Sequence, residues 1–309
     1  MEQKRQTVRC RLGIAFAILA ICAAVSLVAC NAGNDAAQAS AAPTGAAFNP
    51  PDEVALPIVD ASDLEIDTSH ASDGYVVAHA SSSTRLKLQV SKGDTTYNYD
   101  LQNNGTPEVF PVNMGDGNYL FRVMKNTDGN NYVELTHAEA DIALSSEFAP
   151  FLIPNQFCDY SATSACVAKA RELTAGVENQ GEAVKAVCEY IVANVAYDTG
   201  KARELSASTG YVPDPDSTLA SGAGVCFDYA SLGAAMLRSQ GIPTKIVTGY
   251  VSPGDLYHAW IMVYIDGSWH TAKFSVNPDT WSRVDLTFAA SGSTEFTGDG
   301  ANYTDRYVY

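Results

Sequence analysis

Two residues in the last third of this chain have the type and setting needed for acyl-transfer chemistry. Cys226 follows Gly222-Ala223-Gly224-Val225 and opens a stretch whose Ala230, Leu232, Ala235, Met236 and Leu237 mark a buried helix. A helix N-terminus carries partial positive charge and N–H groups without intrahelical acceptors. Both favour a thiolate, so a thiol placed there ionises more readily. The same N–H groups offer donors to the oxyanion of a tetrahedral intermediate. Asp228 falls in the first turn, where a carboxylate suits the dipole and can cap. His258 opens the strand Ala259-Trp260-Ile261-Met262-Val263-Tyr264, after the turn Ser252-Pro253-Gly254-Asp255. A thiol nucleophile needs a base supplied by a facing element. Singly, each has a plainer reading: a free cysteine buried on a core helix and a structural strand histidine. Their order, with a strand between them, favours the chemical one.

The elements that must position this pair are visible in the hydrophobic pattern. Helical spacing appears over residues 164–173. It is stronger over 182–196, where Val184, Val187, Tyr190, Ile191 and Val195 recur on one face. The cysteine helix is expected over 226–240 and ends at Gly241-Ile242-Pro243, glycine near the cap and proline beyond it. Strands are expected over 246–251, 257–265, 268–276 and 281–288. Helices followed by consecutive strands give an α+β arrangement.

Several ordered motifs resemble the bacterial transglutaminase-like superfamily, whose fold is papain-like. They are Gly224-Val225-Cys226-Phe227-Asp228-Tyr229-Ala230, then Met236-Leu237-Arg238-Ser239-Gln240-Gly241-Ile242-Pro243, then Val247-Thr248-Gly249-Tyr250-Val251, then His258-Ala259-Trp260. Upstream, the segment from Tyr190 to Asp198 looks like the helix that precedes the nucleophile there. The resemblance covers roughly residues 160–290 and implies Cys226 as nucleophile and His258 as general base and acid. The family's third residue usually stands in Trp-x-x-x-Asp-x-Thr. Four residues on from Trp269 is Lys273, which cannot orient an imidazole. Four on from Trp281 is Asp285, with Thr287 two further, so the resemblance implies Asp285, with Asp279 as runner-up. Leu286 stands where the family often has proline. Asp285 would hold the His258 ring and stabilise its charged form. His270 is expected to be structural or on the surface. Tyr257, Trp260 and Tyr264 fit either a cleft lining or core packing.

The remainder of the chain reads as a leader, a tether and a β domain. Lys4, Arg5, Arg9 and Arg11 precede an apolar run from Leu12 to Val28, which is the pattern of a signal peptide over residues 1–29. Leu27-Val28-Ala29-Cys30 resembles a bacterial lipobox, which implies lipidation at Cys30 and an anchor at the membrane surface. Residues 30–55, rich in Ala, Asn, Gly, Ser and Pro, read as a flexible tether. Residues 56–145 read as a small all-β, sandwich-like domain. Leu86, Leu88 and Val90 alternate with Lys87 and Gln89, Thr96-Tyr97-Asn98-Tyr99 returns, and Asn103-Asn104-Gly105 and Asp116-Gly117-Asn118 mark turns. His79 and His137 stand alone there. Residues 146–309 then form the transglutaminase-like domain, with an acidic tail carrying Tyr303, Tyr307 and Tyr309 that is expected to be a packed final strand or a flap over the cleft. Cys158, Cys166 and Cys188 remain beside Cys226. The pair Cys158–Cys166 and buried free thiols are both open.

Of the 309 residues, 46% are hydrophobic and 17% charged, a globular composition. The formal charge of -16 argues against nucleic acid and against a polybasic membrane contact. The motifs imply no metal and no cofactor. The expected function is therefore an extracytoplasmic, membrane-anchored lipoprotein enzyme. It would act as a cysteine peptidase or amidase on peptide or isopeptide bonds, with a peptide or protein substrate such as cell-wall peptide. The alternatives are a protein-crosslinking transglutaminase and a surface binding module with a silent thiol site.

Overall fold

Alternation in Leu86-Lys87-Leu88-Gln89-Val90 buries the three apolar side chains and leaves the two polar ones half-buried, so one face of a strand meets a core. The structure is a computed structural model. It describes residues 47–59, 65–206, 208, 210–252, 256–265, 269–270, 275–276, 280–291 and 303–309. The expected signal peptide, Cys30, the tether up to residue 46 and Asp279 lie outside the described residues. In the N-terminal half run β1 (Ile66–Asp67), β2 (Tyr75–Ala78), β3 (Leu86–Lys92), β4 (Thr95–Leu101), β5 (Glu108–Pro111), β6 (Gly117–Asp128) and β7 (Asn131–Ile142). They pair antiparallel in two sheets, β1-β2-β5 and β4-β3-β6-β7. Val76, Ala78 and Phe110 from the first share one core with Leu88, Val90, Phe121 and Val123 from the second, a sandwich-like packing.

The C-terminal half continues through α1 (Ala165–Thr174), α2 (Gln180–Asn194), β8 (Ala196–Tyr197), α3 (Thr199–Leu205), α4 (Pro215–Ser221), β9 (Ala223–Gly224) and α5 (Cys226–Arg238). Then come β10 (Thr244–Val251), β11 (Leu256–Ile265), β12 (Trp269–His270), β13 (Ser275–Val276), β14 (Thr280–Val284), α6 (Leu286–Ala290) and β15 (Tyr303–Val308). The main sheet has the order β14-β11-β10-β15 and is antiparallel throughout. α5 lies on it: Leu232, Ala235 and Met236 share a core with Ile246, Ile261 and Val263. The C-terminal half is α+β.

Two expected strands are corrected. Residues 281–288 do not form one strand. β14 ends at Val284, and Asp285 caps α6 by accepting the Phe288 N–H at 3.0 Å, which turns the chain into helix. Residues 268–276 are not one strand either. Trp269 faces Val276 in antiparallel register, so the chain reverses between β12 and β13.

The tail is a packed final strand. β15 pairs with β10, and the Tyr309 N–H and carbonyl both bond Ile246 at 2.7 Å. Arg238, buried at the end of α5, donates to the carbonyls of Thr244, Ile153 and Tyr309, each at 2.8 Å. From the β half, Asn113 donates to the Val308 carbonyl at 2.6 Å, and the Tyr97 hydroxyl accepts the Val308 N–H at 3.1 Å. Tyr309 and Phe157 pack against both large cores. Both cores belong to one unit, Ser40–Tyr309.

Candidate active site

The nucleophile helix is started by a short parallel bridge. β8 pairs with β9, setting Tyr197 beside Gly224, and the Asp198 N–H bonds the Gly224 carbonyl at 2.9 Å. Val225 is extended, and the helix begins at the next residue, Cys226. Asp228 Oδ2 accepts the Val225 N–H at 2.8 Å, so the carboxylate caps as expected. It does more than that. Asp228 is fully buried, Lys201 Nζ reaches its Oδ2 at 2.6 Å, and the Tyr211 hydroxyl donates to its Oδ1. Burial, then the hydrogen bond to Asp228, push the Tyr211 phenol up to about 12. A Cβ on residue 224 would meet the Asp228 Cβ at 2.6 Å, so this close packing needs glycine there. The loop and α3 are thus tied to the first turn of α5.

Cys226 is partly exposed, as a nucleophile must be, and lies near enough to the His258 ring to help raise the imidazole. His258 is 4% exposed and sits in β11 opposite Gly249 of β10. Its Nε2 lies 2.8 Å from Asp285 Oδ2, which leaves Nδ1 as the nitrogen for sulfur. The Phe288 ring stacks on the imidazole with centroids 4.6 Å apart. Asp285 is buried and accepts three hydrogen bonds: from the His258 ring and the Tyr303 hydroxyl at Oδ2, each at 2.8 Å, and from the Phe288 N–H at Oδ1. Burial works against a charged His258. The charge of Asp285, the hydrogen bond to it and the Cys226 thiol together outweigh burial and raise the imidazole to about 10. The ring is held as imidazolium beside the sulfur.

The structure therefore brings Cys226, His258 and Asp285 together from three elements, α5, β11 and the β14–α6 junction, with His258 hydrogen-bonded to Asp285. Trp260 is core, at 1% exposure. Tyr264 packs at a tilt on Phe148, with ring centroids 4.5 Å apart. Tyr257 is exposed and, one residue from His258, points to the opposite sheet face. His137 pairs with Glu134 on β7 at 2.7 Å. The side chain of His270 lies outside the described residues. Cys158, Cys166 and Cys188 are free and buried, and burial raises all three thiols, Cys158 to about 11. They are inert where Cys226 is accessible.

Four residues at the site escaped the sequence reading as site members: Lys201 and Tyr211 on Asp228, Tyr303 on Asp285, and Tyr197. Tyr197 stands opposite Gly224, two residues before Cys226, and burial, then the nearby Cys226, push its phenol above the ordinary value. The signal for Tyr197 was its place three residues beyond the end of α2 at Asn194. The partners of Asp228 and Asp285 left no local signal.

Residues 167–285 match the family model of the transglutaminase-like superfamily. The chain carries a transglutaminase-like domain, with Cys226, His258 and Asp285 all inside the matched segment. An uncharacterized protein of Mycobacterium leprae (strain TN) is 31% identical over 121 residues, 34% of this chain. The match spans only 39% of that relative's length. Among solved structures, a candidate cysteine protease from Cytophaga hutchinsonii overlays with a TM-score of 0.36 at 17% identity, covering 69% of this chain and 74% of the other. Red sea bream transglutaminase overlays with a TM-score of 0.31 at 12% identity, covering 69% and 48%. Overlays this distant add nothing on activity.

Proposed function

We propose that this chain is an extracytoplasmic thiol acyl-transfer enzyme, acting as a cysteine peptidase or amidase on peptide or isopeptide bonds. The observation that carries the reading is the placement of the partly exposed Cys226 beside the buried His258 ring, whose Nε2 lies 2.8 Å from Asp285. The Cys226 thiolate attacks the amide carbonyl carbon, and the Cys226 N–H at the helix start receives the developing oxyanion. His258 gives its proton to the leaving amine as the C–N bond breaks, and a thioester to Cys226 remains. His258, now neutral, takes a proton from water, which attacks the thioester and releases the acid and the thiol. Asp285 keeps the ring turned to the sulfur and stabilises its charge. The lipobox-like Leu27-Val28-Ala29-Cys30 supports a place on the extracytoplasmic face of the cell membrane through a lipid on Cys30. Peptide or protein substrates, cell-wall peptide among them, suit that place.

The test is a product analysis of cell-wall peptide digests and casein incubated with the protein, with and without a dansylated primary amine. Hydrolysis products that vanish in Cys226→Ala support the reading. Cys226-dependent amine incorporation in place of hydrolysis would replace it with protein crosslinking. No acyl transfer to water or amine would leave a binding module.

A further inference from the structure

We propose that Tyr303 is a positioning residue for this site: its hydroxyl, carried by the last strand, locks the Asp285 carboxylate in the orientation that aims the His258 ring at Cys226. This rests on the thiol acyl-transfer reading above. An aspartate carboxylate turns easily about χ2, whose preferences are broad. Here both oxygens are engaged. Oδ1 takes the Phe288 N–H, and Oδ2 takes Tyr303 and His258 together, each at 2.8 Å. Loss of the Tyr303 bond leaves the histidine alone to hold that oxygen.

Tyr303 is itself held in place. Its ring meets Trp260 edge-on at 4.8 Å, and the Arg283 guanidinium lies 4.4 Å from its centroid. Arg283 in turn faces Asp305 of the same strand at 3.7 Å. The strand could not sit so close if residue 249 had a side chain. A Cβ there would stand 2.0 Å from the Thr304 carbonyl oxygen and 2.9 Å from the Trp260 ring. That glycine is the β10 residue opposite His258. Farther along, Tyr97 and Asn113 of the β half hold Val308. The β half therefore supports the carboxylate through the C-terminal strand. The charged and titratable groups around the contact are His258 from β11, Arg283 from β14, Asp305 from β15 and Cys226 from α5. Burial and then Asp285 push the Tyr303 phenol well above its ordinary value, so its hydroxyl keeps its proton and remains a donor across the working range.

Removing the hydroxyl frees the carboxylate to turn about χ2 and loosens its hold on the ring. The experiment is the pH dependence of Cys226 alkylation by iodoacetamide in the full chain, comparing the parent, Tyr303→Phe and Tyr307→Phe. Phenylalanine keeps the packing on Trp260, and circular dichroism confirms folding. Tyr307 is on the same strand but makes no bond to Asp285, so it controls for loss of a tyrosine hydroxyl. Tyr303→Phe should move the acid limb of labelling upward by roughly half to one pH unit, while Tyr307→Phe superimposes on the parent. An activated parent profile that Tyr303→Phe leaves unmoved overturns the positioning role and spares the acyl-transfer reading. A parent profile of an ordinary thiol overturns both.

Discussion

Asp285 holds His258 and begins a helix with the same carboxylate: Oδ2 lies 2.8 Å from the imidazole Nε2, while Oδ1 accepts the Phe288 N–H at 3.0 Å. One residue therefore has a chemical and a structural role, and substitutions separate them. Asparagine caps helices about as well as aspartate, and alanine does not. Asp285→Asn should lower Cys226-dependent hydrolysis by roughly 10³- to 10⁴-fold through loss of ring orientation and charge. Asp285→Ala should lose as much activity and unfold earlier than Asp285→Asn by about 1 kcal/mol. Urea titrations beside the rate measurement check this. Equal stability of the two variants would deny the capping role.

The raised imidazole has a consequence for stability. The folded chain holds the His258 proton up to about pH 10, against an ordinary value of 6.5. A proton held more tightly when folded favours folding in full below about pH 6.5, and that contribution is lost as pH rises toward 10. Urea midpoints of the parent should fall across this window, and those of His258→Gln should fall less. Parallel pH dependences would mean that His258 is not held charged.

Asp228 and Lys201 give a third expectation. The carboxylate is fully buried and the Lys201 side chain 30% exposed, with Nζ and Oδ2 2.6 Å apart. Lys201→Met leaves a buried charge with only Tyr211 and the Val225 N–H. A cost of about 1–3 kcal/mol in unfolding follows, along with slower alkylation of Cys226, whose helix start the cluster steadies. Unchanged stability by thermal melting would show that the pair is screened.

The chain's own pattern made the nucleophile helix and the histidine strand legible, because each is a local apolar run with its own period. Gly241-Ile242-Pro243 likewise marks the end of the helix in the residue order. Asp285 was reachable only through a motif spacing, and its setting was misjudged. Residues 281–288 look strand-like, but a capping aspartate three residues before Phe288 stops the strand at Val284. Tyr303, Lys201 and Tyr211 were out of reach as site members for a different reason. Their partners lie 17 or more residues away in the chain, and sheet register and loop path bring them together. The β half showed its strands in advance, whereas its grip on β15 through Tyr97 and Asn113 depends on the assembled fold.

The central claim is that Cys226 and the protonated His258 act as a nucleophile–acid pair. Its most direct test is the rate of Cys226 alkylation by iodoacetamide from about pH 4 to pH 9, with the label located by peptide mass and His258→Ala run alongside. An ordinary thiol reacts only as pH approaches about 8.5. Fast labelling near about pH 5.5, slowed in His258→Ala, is the predicted result. A profile that rises only near pH 8.5 and ignores the histidine would contradict the account.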